Sequence, residues 1–232
     1  MPVYYFTLAA GLIVTAGFLF SRSKGASVKN LFFKMASSLC FLLTAVFAVI
    51  ANPNLASYGV LIILGGILGL CGDVTLDLKF IYPKDNNEYL RSGFIFFAIG
   101  HIFYCAAIIW YNQLKWWWVL ACIAAAVVIS VANTLSGKML KLDFGKYRNI
   151  VIIYSSFLAA TALISILAAV VTSSVAMIVF AVGAVLFLLS DVVLCFTYFG
   201  KGWDKAPHIF INHLLYYAGQ FLIASSIVFI GK

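Results

Sequence analysis

The chain has 232 residues, of which 65% are hydrophobic and 9% charged. A water-soluble domain carries about 25% charged residues, so this composition excludes a soluble protein and indicates an integral membrane protein. The formal net charge of +8 does not signal nucleic acid, because the lysines and arginines fall in short loops between apolar runs, where they report membrane topology.

A helix needs about 20 mostly apolar residues to cross a bilayer. Eight runs qualify, at 3–20, 31–51, 58–77, 92–111, 116–135, 148–170, 174–197 and 207–230. The first has neither a basic leader nor a small-residue cleavage site, so it is expected as a span rather than a removed signal. Trp116-Trp117-Trp118 opens the fifth run as an interfacial aromatic belt. Pro207 stands where the last helix should begin, a position that tolerates proline. Cys40, Cys71, Cys105, Cys122 and Cys195 all fall within apolar runs without a Cys-x-x-Cys pair. They read as small buried residues, neither disulfides nor zinc ligands.

Eight spans put both termini on one side. The loops after spans one, three, five and seven, with the adjoining helix ends, hold Arg22, Lys24, Lys29 and Lys34; Lys79, Lys84 and Arg91; Lys138, Lys141, Lys146 and Arg148; Lys201 and Lys205. The opposite side holds Lys115 and Lys232. The positive-inside rule makes the basic side cytoplasmic and places both termini outside.

Two acids interrupt apolar runs: Asp73 within Leu68-Gly69-Leu70-Cys71-Gly72-Asp73-Val74-Thr75-Leu76, and Asp191 within Leu186-Phe187-Leu188-Leu189-Ser190-Asp191-Val192-Val193-Leu194. An ionisable group in hydrocarbon is costly and marks a functional site by default. The two stretches are 118 residues apart, and the same offset maps Ser37-Ser38 onto Ser155-Ser156 and Gly65 onto Gly183. An offset of 112 maps His101-Ile102-Phe103-Tyr104 onto His213-Leu214-Leu215-Tyr216. The expectation is one membrane domain, all-α, with eight transmembrane helices in two parallel four-helix repeats, about 1–114 and 115–232. Such repeats are related by an axis along the membrane normal.

At 1.5 Å per residue, Asp73, His101, Asp191 and His213 lie ~9–15 Å below the cytoplasmic interface, in one layer. Gly65, Gly69, Gly72 and Asp73 share a helix face, and small residues mark close helix packing. Asp73 should therefore face the bundle, and Asp191 likewise, the two lining a polar chamber. Each acid reads either as a reacting group or as a structural acid satisfied by the histidines or tyrosines. His101 and His213 read as hydrogen-bond partners or chamber liners, and Tyr104 and Tyr216, one turn deeper, as packing residues. Asp77 shares the face of Asp73, but its echo is Cys195 and it is placed at the interface, outside the site. A metal held by Asp73, Asp191, His101, His208 and His213 is disfavoured: His208 and His213 are five residues apart, which does not put them on one helix face. No cofactor is expected, and the absence of Gly-x-Ser-x-Gly argues against a common serine hydrolase.

Lys34, Gly72-Asp73-x-x-Leu76, Gly93, Gly100-His101-x-x-Tyr104, Ser190-Asp191-x-x-Leu194 and Tyr216-x-x-x-Gln220-x-Leu-Ile occur in an order that resembles the YhhN-like, or transmembrane lysoplasmalogenase, family over nearly the whole chain. The resemblance implies hydrolysis of the vinyl ether bond of a lysoplasmalogen, giving a fatty aldehyde and glycerophospho-ethanolamine or -choline. It carries the family's two intramembrane acids onto Asp73 and Asp191. The substrate would be a lysophospholipid of the cytoplasmic leaflet, in a bacterial inner membrane. Lys34, His101, Tyr104, Tyr154, His213, Tyr216 and Gln220 are the residues expected to bind or orient it. Lys34 pairs with the lipid phosphate or is a snorkelling topology residue.

The chemistry fits. Protonating the β-carbon of a vinyl ether gives an oxocarbenium ion that water traps, resembling the transition state that glycosidases stabilise with two carboxyl groups. Two acids in a low-dielectric chamber do not both ionise cheaply, so one is expected to donate the proton and the other to stabilise the cation and activate water. The rival reading is a proton-coupled transporter of a small solute, built from the same repeats.

Overall fold

A computed structural model describes residues 2–230. Lys232, counted above on the less basic side, lies outside the described residues. These form eight long helices: α1 Val3–Arg22, α2 Val28–Ala51, α3 Ala56–Ile81, α4 Asn86–Asn112, α5 Trp116–Leu135, α6 Arg148–Thr172, α7 Val175–Phe199 and α8 Ala206–Ser225. No strand occurs among the described residues, where one isolated bridge pairs Leu142 with Gly200. The expected eight helices are present and in order. Seven of them, α1 to α7, are long and apolar enough to cross a membrane. The eighth is more polar because it carries His208, Asn212, His213, Tyr216, Tyr217 and Gln220.

Several helices outrun their apolar stretches. The hydropathy of span three fades at Asp77, yet α3 continues through Lys79 to Ile81, since the backbone ladder persists after the side chains turn polar. The last span instead ends early: α8 stops at Ser225 and Ser226–Phe229 tightens into a 3₁₀ turn. Local chemistry sets the other ends. The Ser27 side chain accepts from the Asn30 amide at 3.2 Å to open α2, a standard N-cap. Gln113 (φ 48°) and Ser173 (φ 51°) close α4 and α6 in the left-handed region.

The helices pack as hairpins, α1 on α2, α3 on α4, α5 on α6 and α7 on α8. Further contacts join α2 to α3, α6 to α7, α4 to α6 and α8 to α2. The fifth helix is peripheral: it packs closely on α6 and on no other long helix. Glycine brings two of the hairpins to backbone contact. A Cβ at Gly100 would lie 3.0 Å from the Gly65 carbonyl oxygen, and one at Gly219 would lie 2.7 Å from that of Gly183. Glycine at such crossings lets helices approach closely in lipid.

These two crossings fix a register. Gly65 and Gly183 differ by 118 residues, as expected, but Gly100 and Gly219 differ by 119. Comparing the hairpins through these crossings sets Gln220 against His101 and Ile223 against Tyr104; Tyr104 packs on Gly65 and Ile223 on Gly183. The His-x-x-Tyr match at an offset of 112 falls two turns away. Its letters recur, but its places in the bundle do not.

Gly183→Val should force α7 and α8 apart, costing about 1–3 kcal/mol of overpacking. The loss is read as a lower Tm in detergent. Gly17→Ala, whose Cβ would meet nothing nearer than 3.9 Å, should leave Tm within a degree or two.

Candidate functional site

Asp73 lies at the centre of a buried ionic network. Lys34 Nζ, from α2, stands 3.2 Å from Asp73 Oδ1 and 3.3 Å from Asp77 Oδ1, and it also donates to the Asp73 backbone carbonyl. Arg22 Nη2, from the end of α1, stands 3.3 Å from the same Asp77 oxygen. Two cations and two carboxylates thus neutralise one another where all four side chains are at least nine-tenths buried. The second Asp73 oxygen accepts from Ser38 Oγ at 2.6 Å and from Tyr216 Oη at 2.7 Å. Tyr217 Oη donates to the Lys34 carbonyl. Gln220 continues the chain, donating to Tyr216 Oη at 3.3 Å and accepting from Tyr104 Oη at 2.9 Å. The glycines of α3 make room: a Cβ at Gly69 would sit 3.0 Å from Gln220 Nε2, and one at Gly72 2.6 Å from the Phe97 ring.

Asp191 stands apart from this network. It lies on the wall of a largely apolar cavity of about 390 Å³. Tyr154 Oη, from α6, donates to its Oδ2. Among the described residues no cation comes within ion-pairing distance of it. The cavity is a groove with α6 as its floor and α5 and α7 as its sides. Its rims, Ile129 of α5 and Leu189 and Val192 of α7, are exposed on the outer surface. In a membrane the groove therefore opens sideways to hydrocarbon. The loop residues Leu140, Leu142 and Phe144 close its end, held there by the Leu142–Gly200 bridge and by the Asp143 amide donating to the Phe199 carbonyl at 2.9 Å.

The expected chamber lined by both acids is thus divided. The carboxylate of Asp73 is 3% exposed and its oxygens are occupied; it does not line the groove. A wall of aromatic rings separates the two environments. Phe97 meets Tyr216 at 6.0 Å and Tyr154 at 6.3 Å, and Phe187 meets Tyr216 at 5.1 Å.

The other expected residues sort accordingly. Lys34, Tyr216, Gln220 and Tyr104 belong to the Asp73 network, so Lys34 is committed to carboxylates rather than free for a phosphate. Tyr154 belongs to the groove. Neither histidine orients an acid. His101 Nδ1 pairs with Thr161 Oγ1 at 3.1 Å, while its Nε2 is buried without a partner among the described residues. His213 sits edge-on to the Phe18 ring at 5.1 Å. His208 bonds the Trp203 carbonyl in the loop before α8. Among the described residues no three His, Cys, Asp or Glu side chains gather where a metal ion could be held.

Sequence reasoning missed Arg22, Ser38, Asp77 and Tyr217. Asp77 lies one turn below Asp73 on the same face, and it is 4% exposed rather than interfacial. The signal available was the proximity in sequence order of two basic residues, Arg22 and Lys34, to helix ends that must fold back against α3.

The fold and these two sites define an all-helical membrane protein with a neutralised charge network beside a lateral groove. The chain belongs to the YhhN family, whose sequence model matches residues 29–227. No curated protein and no solved structure matches it.

Removing one partner from a buried ion pair leaves an uncompensated charge and costs about 3–5 kcal/mol. Lys34→Met should lower Tm in detergent far more than Lys141→Met, which alters an exposed loop. An equal, small effect from both would show that the network contributes little to the fold.

Proposed function

We propose that the protein is a membrane-embedded lipid hydrolase of the lysoplasmalogenase type, with Asp191 as its reacting acid. Membership of the YhhN family supports the class of activity. The observation that carries the assignment is the position of Asp191: an acid without a cation, half-buried in the wall of an apolar groove that opens to hydrocarbon. A lipid chain can enter that groove from the side without crossing water, and a vinyl ether at its end can reach the carboxyl group.

In the reaction, the Asp191 carboxyl gives its proton to the β-carbon of the vinyl ether. The double bond supplies the electron pair for the new C–H bond, and the α-carbon becomes part of an oxocarbenium ion. The carboxylate left behind faces that cation and stabilises it. Water then adds to the α-carbon and loses a proton to Asp191, restoring the acid. The hemiacetal so formed breaks its bond to the glycerol oxygen, which takes the hydroxyl proton as the fatty aldehyde departs. One carboxyl group serves for both proton transfers, and Tyr154 holds it by a hydrogen bond.

Asp73 is a positioning residue in this reading. Through Tyr216, Phe97 and Phe187 it braces the wall on which Tyr154 rests. The two-repeat arrangement is part of the same proposal: the contacts of α1 to α4 recur among α5 to α8, and at the 118 offset Lys34 falls opposite Ile152. A cation is present in one half only, so one acid is neutralised and its counterpart is left for chemistry. The groove lies toward the end of the bundle that carries the basic loops; with the positive-inside rule this supports a substrate in the cytoplasmic leaflet of the cell membrane, and the sorting of the basic loops supports both termini outside.

Purified protein should release aldehyde from lysoplasmenylcholine or lysoplasmenylethanolamine. In D₂O the aldehyde should carry one deuterium on the carbon next to the carbonyl, the mark of β-carbon protonation. Asp191→Asn should lower the rate about 10²–10⁴-fold, the usual contribution of a positioned acid, at unchanged Tm. Tyr154→Phe should retain partial activity. Wild-type turnover in a folded Asp191→Asn protein would sink the mechanism; solute uptake into vesicles without any product would favour a transporter.

A further inference from the structure

Next to the apolar groove lies a second cavity of about 380 Å³ with a polar lining. Phe144, Tyr198 and Phe199 belong to the walls of both. Beyond them the second cavity is bordered by Lys79 at the end of α3, Asn86 and Asn87 at the start of α4, and Asp143, Gly145, Lys146 and Tyr147 in the loop before α6. The two cavities thus adjoin across these three aromatic rings, apolar on the side of Asp191 and polar beyond them.

Lys79 is the informative residue. It is 7% exposed, yet its ammonium makes no hydrogen bond and no ion pair with any described residue. It rests on the Tyr198 ring, 3.0 Å from the centroid, with the Phe80 ring at 4.7 Å. Aromatic faces hold a cation in place but do not neutralise it. Every other deeply buried cation of this bundle, Arg22 and Lys34, has a carboxylate. Lys146 adds a second cation at the rim. The one carboxylate on the lining, Asp143, is turned to the Gly145 amide at 3.1 Å. Tyr147 Oη donates to the Asn87 carbonyl oxygen, which leaves the Asn87 amide N–H groups free to donate. Two lysines and the Asn87 amide thus border a pocket that adjoins a hydrocarbon groove.

We propose that this polar cavity binds the phosphate of a single-chain phospholipid whose chain lies in the adjoining groove, with Lys79 as its principal ligand and Lys146 and Asn87 at its edge. The assignment rests on the lipid-hydrolase reading for the occupant of the groove. It adds an orientation: the headgroup passes beyond Tyr198 and Phe199, and the chain runs back along α6 past Asp191. It also transfers to Lys79 the phosphate contact expected of Lys34. Phosphate is common to lipid headgroups and to free phosphate, and the test separates them.

The test measures binding, not turnover. Ligand binding to the folded protein raises its Tm, so purified protein in detergent is titrated with lysophosphatidylcholine, with a monoacylglycerol of the same chain, and with inorganic phosphate. Lysophosphatidylcholine should act at lower concentration than monoacylglycerol. Lys79→Gln should raise the lysophosphatidylcholine requirement about tenfold, as for loss of a charged hydrogen bond, and leave the monoacylglycerol response unchanged. Lys146→Gln, on an exposed loop, should raise it about threefold and guards against a misfolded Lys79 variant. Lys79→Arg should restore most of the preference. Val192→Trp, filling the groove, should weaken both lipids. A phospholipid preference that survives both Lys79→Gln and Lys146→Gln overturns the proposal. Inorganic phosphate stabilising as well as the lipid would overturn the lipid assignment and mark a free-anion site. Lysophosphatidylcholine carries an ester and no vinyl ether, so it reports binding alone; a Lys79-dependent preference in a protein that releases no aldehyde from lysoplasmenylcholine would sink the hydrolase reading while leaving the subsite intact.

Discussion

Lys34 holds two carboxylates from consecutive turns of one helix, and the bundle depends on that contact. A single charge in hydrocarbon costs several kcal/mol. Here four charges, Arg22, Asp77, Lys34 and Asp73, alternate in sign across α1, α2 and α3. Each cation comes from a helix other than that of its acids, so neutralisation requires the helices to be assembled. In lipid there is little hydrophobic force between helices, and packing and polar contacts must hold them. The network supplies both register and adhesion. Ser38, Tyr216 and Tyr217 extend it from α2 and α3 to α8. That extension explains how so polar a helix as α8 is accommodated: Asn212, Tyr216, Tyr217 and Gln220 all have hydrogen-bond partners inside the bundle.

The same neutralisation accounts for the difference between the two acids. A carboxylate that accepts from a lysine, a serine and a tyrosine has little capacity left for a substrate. Asp191, on a stretch of α7 with similar sequence, meets Tyr154 and open space. Sequence similarity between the two stretches suggests equal roles; the surroundings make the roles different. The aromatic layer of Phe97, Phe187 and Tyr216 stands between the two acids and separates the Lys34 charge from the groove.

The eight helices were legible because hydrophobic runs of sufficient length and sorted basic loops are direct consequences of the bilayer. The burial of Asp73 was legible too, from the glycine face of α3. Which side chain meets which was less so. Lys34 reads in sequence as an interfacial cation, because it stands near a loop and topology residues look the same as network residues. Asp77 reads as interfacial for the same reason, and only the inward path of Arg22 changes that. The His-x-x-Tyr recurrence misled because local letters say nothing of register between helices, which Gly65, Gly100, Gly183 and Gly219 set by backbone contact. The groove left no sequence signal, since it arises from a contact that α5 does not make.

That missing contact needs a physical account, because a peripheral apolar helix would ordinarily close onto its neighbours. The short α7–α8 loop and the longer segment between α5 and α6 are pinned to each other through the Leu142–Gly200 bridge and the Asp143–Phe199 hydrogen bond. The closed end of the groove is therefore spaced by backbone pairing, while α5 is held along its length by α6. Dispersion between α5 and α7 would gain little over dispersion with lipid chains, which are as apolar as the helix surface. A groove between them costs little to keep open as long as a hydrocarbon chain fills it. A groove of this kind is open to the bilayer's own acyl chains, so under the proposed function a substrate must compete with them through something they lack in that position. In the proposal above, a headgroup that reaches past Tyr198 to Lys79 is such a difference.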